Sequence, residues 1–349
     1  MKLKNLKYTV TSTAIFLVII LLLGELISRT LGTTLVYKYD PILGWRPKKN
    51  FSKKIPVVDL SGEKYYVNYS TNEFGFREFG DLNSKKKRIL FVGDSCTGDP
   101  YTSDEDAYFG IVGKELPVEV FAIGGGGYGT LQELMLIKEF AGMINPDILV
   151  LQYSFNDITN NSFFLEGPSI TRNQKNLRPY WIDNRVVYRL SSNNLYTLLY
   201  KNFRLFRTLD GLFSNIQYKI YKGYYPPQYQ TYANYTLDPS IKLQPEISAQ
   251  KAAAISITQF LMSEIAQNFS TNTKLITFSG TADSQEELRI WQTLARNAGF
   301  IAYTSVSANV ENAERKGAIV RIKDGAHWNR LGNKIAGETL AQIIQRDLL

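Results

Sequence analysis

The sequence predicts an α/β domain with a mostly parallel sheet and helices on both faces, on three observations. Apolar, β-rich runs at residues 88–92, 118–123 and 148–153 each stop at a glycine or a polar turn, the pattern of strands buried on both faces. Between the last two runs lies a helical pattern through Leu131, Leu134, Met135, Ile137 and Lys138. After an interruption the alternation resumes, with helices over 248–268, 284–298 and 331–345 and strands at 274–278 and 300–304. With 349 residues, 44% of them hydrophobic, the chain holds enough apolar material for one large domain with additions.

The chain opens on Lys2, Lys4 and Lys7, followed by a nearly charge-free stretch from Tyr8 to Leu23. With the flank to Ile27 it approaches the roughly 20 residues that cross a bilayer. Positive charge ahead of the span predicts residues 1–7 in the cytoplasm, an anchor over 8–29 and everything after it outside. A cleaved signal peptide is the competing reading, but no small-x-small cleavage site follows Leu23. The formal net charge of +8 includes these lysines and suits an anionic membrane or polymer; nucleic acid is not expected for an exported domain. Cys96 is the single cysteine, so the fold must stand without an intramolecular disulfide.

Residues 30–84 read as an accessory lead-in, with a strand at Tyr65 to Tyr69. The lysines at 85–87 read as the solvated start of the first core strand. That strand ends abruptly in Gly93, Asp94 and Ser95, delivering a hydroxyl at a strand's carboxyl end, where open α/β sheets bind ligands. A serine nucleophile needs a base and a group to orient that base. The only histidine, His327, lies three residues after Asp324. The strand at 118–123 runs into the glycines 124–127 and Gly129, a turn that lets backbone N–H groups approach negative charge. The strand at 148–153 ends near Asn156 and Asp157, where an amide side chain can donate. Asp99, Asp104, Glu105 and Asp106 invite a metal, but the acids from 104 sit where a helix begins and read as dipole and cap residues; no metal and no cofactor is expected.

These blocks together resemble the SGNH (GDSL-type) hydrolases: Gly-Asp-Ser, a glycine after the second strand, Asn-Asp after the third, and Asp-x-x-His near the C-terminus, in that order. The resemblance covers roughly residues 85–349 and extends loosely upstream. There Leu43 to Pro47 and Thr71 to Arg77 look like the lead-in of the membrane-anchored bacterial members. It implies a flavodoxin-like three-layer fold in which Ser95 attacks an acyl carbon, His327 is base and then acid, and Asp324 holds the imidazole. The N–H groups of Ser95 and Gly124 and the amide of Asn156 would form the oxyanion hole, each such donor being worth about 10²–10³ in rate. Gly125 or Gly126 could replace Gly124. Ala122, Ile123 and Ser154 depart from the family pattern, which bears on local geometry more than on chemistry.

The domain then divides into a first half, 85–160, an insertion, 161–247, and a second half, 248–349. The insertion is rich in tyrosine from Tyr180 to Tyr235. Its Leu195, Leu199, Phe203, Phe206, Leu209, Phe213 and Ile216 recur at helical spacing. That stripe can pack on the body; stacking on sugar rings and lying on a membrane are the sharper readings.

Gly124, Gly126 and Gly129 formally fit a dinucleotide fingerprint, but a four-glycine run satisfies many patterns and an exported domain meets little nicotinamide cofactor. The sequence around Ser95 is not the Gly-x-Ser-x-Gly elbow of α/β-hydrolases. The expectation is therefore a membrane-anchored serine esterase, or an acyltransferase by the same intermediate, acting on O-acyl groups, such as O-acetyl, of an extracytoplasmic glycan. Lipid esters are the nearest alternative substrates. A non-catalytic tethered binding or assembly protein on the same scaffold is the rival class.

Overall fold

The computed structural model describes residues 2–31, 35–98, 100–166, 177–188, 195–209, 249–280 and 284–349. The sequence-based expectations for Asp99 and for the aromatic stretch from 210 to 248 lie outside these residues. In helix α1 (Lys2–Leu31) the apolar side chains from Tyr8 to Leu23 are exposed. Its Tyr8–Thr30 stretch is long and apolar enough to cross a membrane, a property that a signal sequence shares.

The lead-in forms two antiparallel pairs, β1 (Tyr37–Asp40) with β2 (Gly44–Pro47) and β3 (Phe51–Val58) with β4 (Lys64–Thr71), then a short β5 (Glu78–Phe79). The main domain follows as β6 (Lys87–Gly93), α2 (Ser95–Gly98), α3 (Tyr108–Glu115), β7 (Val118–Gly124), α4 (Thr130–Ile144), β8 (Ile148–Tyr153) and α5 (Asn156–Asn160). The described parts of the insertion are α6 (Phe163–Glu166), the hairpin β9 (Pro179–Ile182) and β10 (Arg185–Tyr188), α7 (Leu195–Asn202) and a helical turn over 204–209. The second half contributes α8 (Ala249–Gln267), β11 (Lys274–Ser279), α9 (Gln285–Asn297), β12 (Ile301–Ala302), α10 (Ser305–Arg315) and α11 (Arg330–Asp347).

The central sheet runs β12-β11-β8-β6-β7-β5, and all neighbours pair parallel except β5, which caps β7 antiparallel. Counted in chain order, the five parallel strands lie 2-1-3-4-5, the flavodoxin-like order with its switch point between β6 and β8. Alternate residues of β6 face opposite layers. Leu90 and Val92 pack with α4, α8 and α9 through Leu134, Ile137, Leu261 and Leu294, while Ile89 and Phe91 pack with α3, α10 and α11 through Val112, Val310, Leu340 and Ile344. The expected three-layer architecture is thus the observed one.

Most element expectations hold to within a few residues. The strand expected at 300–304 shortens to two residues, and helix α10, which lacks a distinct start signal in the sequence, follows it. Ser103 to Asp106 form one 3-10 turn rather than a capped helix start, because their side chains serve the lead-in: Ser103 Oγ accepts from Asn68 N–H and Asp104 from Ser70 and Arg77. The lead-in is woven into the main core, to which it contributes Leu43, Trp45 and Phe76.

Candidate active site

β6 ends at Gly93 and the chain turns at once into α2, whose first residue is Ser95. In a helix's first turn the N–H groups have no intrahelical carbonyl to bond. Asp94 shapes the turn: its carbonyl accepts from Thr97 and Gly98 N–H, and its buried carboxylate accepts from Cys96 N–H at 3.0 Å. Ser95 Oγ lies 2.7 Å from His327 Nε2, bridging 232 residues of chain. On the other side of the ring, His327 Nδ1 lies 2.6 Å from Asp324 Oδ2. The second carboxylate oxygen of Asp324 accepts from the N–H groups of Ala326 and His327, at 2.9 and 3.0 Å. Burial pushes the Asp324 carboxyl up, but the His327 hydrogen bond and charge, with those two N–H donors, outweigh it and hold the carboxyl below its ordinary range. The Tyr101 ring covers the imidazole, with centroids 4.3 Å apart.

Gly124 ends β7 in register with Gly93, so close that a Cβ there would lie 2.5 Å from Gly93 O and 2.9 Å from Asp94 O. Of the two alternatives to it, Gly125 N–H donates to Gly93 O at 3.3 Å and Gly126 N–H to the Tyr37 hydroxyl at 2.7 Å. Asn156, at the start of α5 beyond β8, turns its amide to the same turn and donates to Asp94 Oδ2 at 3.3 Å. Ser154, in place of the family glycine, accepts from Gln152 Nε2 and donates its N–H to Asp157. The five residues singled out in the sequence therefore converge on the carboxyl ends of β6, β7 and β8, around the switch point.

The residues that brace this centre come from segments that sequence reasoning treated as accessory. Arg77 is buried and donates to Thr97 O at 3.2 Å, Thr102 O at 2.8 Å and Asp104 at 2.8 Å, while the Tyr69 hydroxyl donates to Gly98 O. Trp45 Nε1 donates to Gly126 O at 3.0 Å, and the Tyr128 hydroxyl to Trp45 O. The histidine loop is a narrow turn closed by Ile322 N–H to His327 O, and it is tied to β3 through Lys323 N–H to Val58 O at 2.8 Å. From the insertion, buried Arg178 pairs with Glu166, donates to Gln132, and donates to Gly127 O at 2.6 Å. The Leu43 to Pro47 and Thr71 to Arg77 motifs were the available signal for the first set; Arg178 carries none.

Behind the turn, Glu133 of α4 is fully buried, and neither carboxylate oxygen has a hydrogen-bond partner among the described residues. Burial, reinforced by the charge of Asp94, pushes this carboxyl well above its ordinary range. Asp104, a candidate in any metal reading, has its oxygens taken by Arg77 and Ser70.

No family model matches the chain, and no curated relative matches it. Solved structures similar to it include a member of the lipolytic G-D-S-L family from Veillonella parvula (13% identity, 74% of this chain and 99% of that one, TM-score 0.37). A family 3 carbohydrate esterase from Clostridium thermocellum is similar at 13% identity over 75% and 96%, with TM-score 0.37. A further carbohydrate esterase, described as having divergent catalytic and non-catalytic binding functions, is similar at 8% identity over 87% and 90%, with TM-score 0.38. The fold itself stands on its strand order.

Proposed function

We propose that this chain is an SGNH-type serine ester hydrolase, anchored in the cytoplasmic membrane by residues 8–29 with its catalytic domain outside. The observation that carries the reading is the unbroken chain from Ser95 Oγ through His327 to Asp324, at 2.7 and 2.6 Å. Nδ1–H donates to the Asp324 carboxylate, which leaves the Nε2 lone pair to accept the Ser95 proton as Oγ bonds to the acyl carbon. The carbonyl oxygen then carries negative charge facing the N–H groups of Ser95 and Gly124 and the amide of Asn156. His327 returns the proton to the departing alkoxide, giving an alcohol and an acyl-Ser95 ester. Water, or a sugar hydroxyl in the transferase variant, attacks that ester with His327 again as base, and Ser95 Oγ leaves with the proton that His327 took, releasing the carboxylic acid or the acylated sugar. Asn156 reaches Asp94 in the free protein, so it must turn part of its donor capacity toward substrate.

The substrate we infer is an O-acyl, such as O-acetyl, group on a glycan outside the cytoplasm. That step is supported by the lysines before the span and by the aromatic content of the insertion. The catalytic domain comprises 85–160 and 248–349, with 30–84 as a lead-in that braces the site.

The test is the intact mass of the full-length protein in detergent after treatment with a fluorophosphonate, with Ser95→Ala as control. One phosphonyl adduct on the wild type and none on the variant is the expected result. An unlabelled, folded wild type would sink the esterase reading in favour of a non-catalytic tethered scaffold.

A further inference from the structure

We propose that the helical segment 195–209 of the insertion lies in the outer interface of an anionic lipid bilayer, with Leu195, Leu198, Phe203 and Leu209 against the acyl chains. The proposal rests on the reading of residues 8–29 as a membrane anchor. Three independent observations lead to it.

First, the segment is bonded to the anchor helix at one level. The Glu25 carboxylate accepts from the N–H groups of Arg204 at 2.9 Å and Leu205 at 2.7 Å, and Arg29 donates to Asn202 O at 3.1 Å. Gly24 has no side chain to hold Leu205 away; a Cβ there would meet its Cδ2 at 2.9 Å. Starting from Tyr8, the roughly 20 helical residues that cross about 30 Å of hydrocarbon end near Ile27. Residues 24–29, and whatever is bonded to them, therefore sit at the outer boundary of the bilayer.

Second, the segment turns apolar side chains outward at that level. Tyr196 stacks on Tyr200 and packs edge-on against Phe206, which closes the kink at Phe203. Leu195, Leu198, Phe203 and Leu209 are left 68, 55, 47 and 38% exposed, beside Leu26 and Ile27 of α1 at 58 and 54%. In water these side chains would lose the roughly 25 cal/mol per Å² that burial provides, whereas a bilayer continuous with the anchor covers them.

Third, cations crowd the same junction. Lys48 is half-buried and its ammonium is pushed below its ordinary range by burial, then by the charges of Arg207 and Arg204. Burial likewise lowers the Arg207 guanidinium, with Arg204 and Arg29 adding repulsion against the opposing pull of Tyr200 and Glu25. Phosphate headgroups of anionic lipid would relieve this repulsion, since each nearby cation is attracted to a negatively charged surface.

The test uses the full-length protein in Cys96→Ser background, reconstituted into vesicles of phosphatidylcholine with phosphatidylglycerol. Single cysteines replacing Ile19, Leu198, Phe203 and Lys316 carry an environment-sensitive fluorophore. Each is quenched by iodide in water or by nitroxide-labelled acyl chains. The Ile19 probe reports the anchor and Lys316 the solvent-facing body. We expect the 198 and 203 probes to be quenched several-fold more by the lipid nitroxide than the 316 probe. Arg204→Gln with Arg207→Gln should weaken that quenching. Probes at 198 and 203 as open to iodide as 316, with 19 in the bilayer, would overturn the interfacial reading alone and leave the face to a protein or glycan. A water-exposed 19 probe would remove the anchor reading and this inference with it.

Discussion

Gly124→Ala should cripple the candidate nucleophile without touching Ser95, His327 or Asp324. The added Cβ would lie 2.5 Å from Gly93 O, about 0.9 Å short of ordinary contact at 3.4 Å, and 2.9 Å from both Asp94 O and Thr97 Cβ. Two of these three neighbours are backbone atoms of the β6 end and the α2 turn, so no rotamer change can clear them. β7 and β6 must separate, or the turn carrying Ser95 must move by most of an ångström. Overpacking of this kind costs about 1–3 kcal/mol. A displacement near 1 Å at the reacting group costs on the order of 10²-fold in rate. The assay is the second-order rate of fluorophosphonate labelling, read by intact mass, alongside the thermal midpoint. Gly142→Ala is the control, since nothing lies within 4 Å of its Cβ position and alanine suits the helix α4 it occupies. Labelling of Gly124→Ala at the wild-type rate, with an unchanged midpoint, would refute the idea that this glycine sets the position of Ser95.

Asp324→Asn should fold normally yet lose about 10²–10⁴-fold in ester turnover, because the imidazole is no longer held for proton abstraction; turnover within a few-fold of wild type would remove Asp324 from the proposed triad. Since the Asp324 carboxyl is held below its ordinary value, its contribution to stability is present above pH 3.8 and lost as pH falls through the depressed value. The buried Glu133 works in the opposite sense. Its raised folded value means stability present below pH 4.5 is lost as pH climbs, so Glu133→Gln should gain on the wild type in urea melts as pH rises from there. Parallel stability curves would show that its carboxyl is not held protonated. Arg178→Leu should cost about 3–5 kcal/mol by leaving the buried Glu166 carboxylate without its cation, and Arg178→Leu with Glu166→Gln should recover part of it. A single variant as stable as the wild type in chemical denaturation would show that the pair is dispensable.

The strands and helices of the main domain are legible in the sequence because they are local. Runs such as Ile89 to Val92 alternate between two buried faces, and the helix at 285–297 announces itself through Ser284 and Glu287, each side chain bonding the other's backbone N–H. The short helix α10 and the β1 to β3 strands were not legible, since their residues serve neighbours from other segments rather than a regular period. The candidate site was legible as residue types: one histidine, one acid three residues before it, and one serine at a strand's end.

What the sequence by itself determined, then, is the βα order, the apolar span and the inventory of groups for the proposed acyl chemistry. Only the tertiary structure decided that Ser95 and His327 meet across 232 residues, and that Gly125 and Gly126 spend their N–H groups on Gly93 and Tyr37. It alone decided that Arg77 holds the turn after β6 while Trp45 and Arg178 hold the glycine turn after β7, and that Glu25 joins the span to the insertion. The reason is physical: periodicity records which face of an element is buried, whereas a hydrogen bond from a side chain to a distant carbonyl leaves no mark on the residues around either partner.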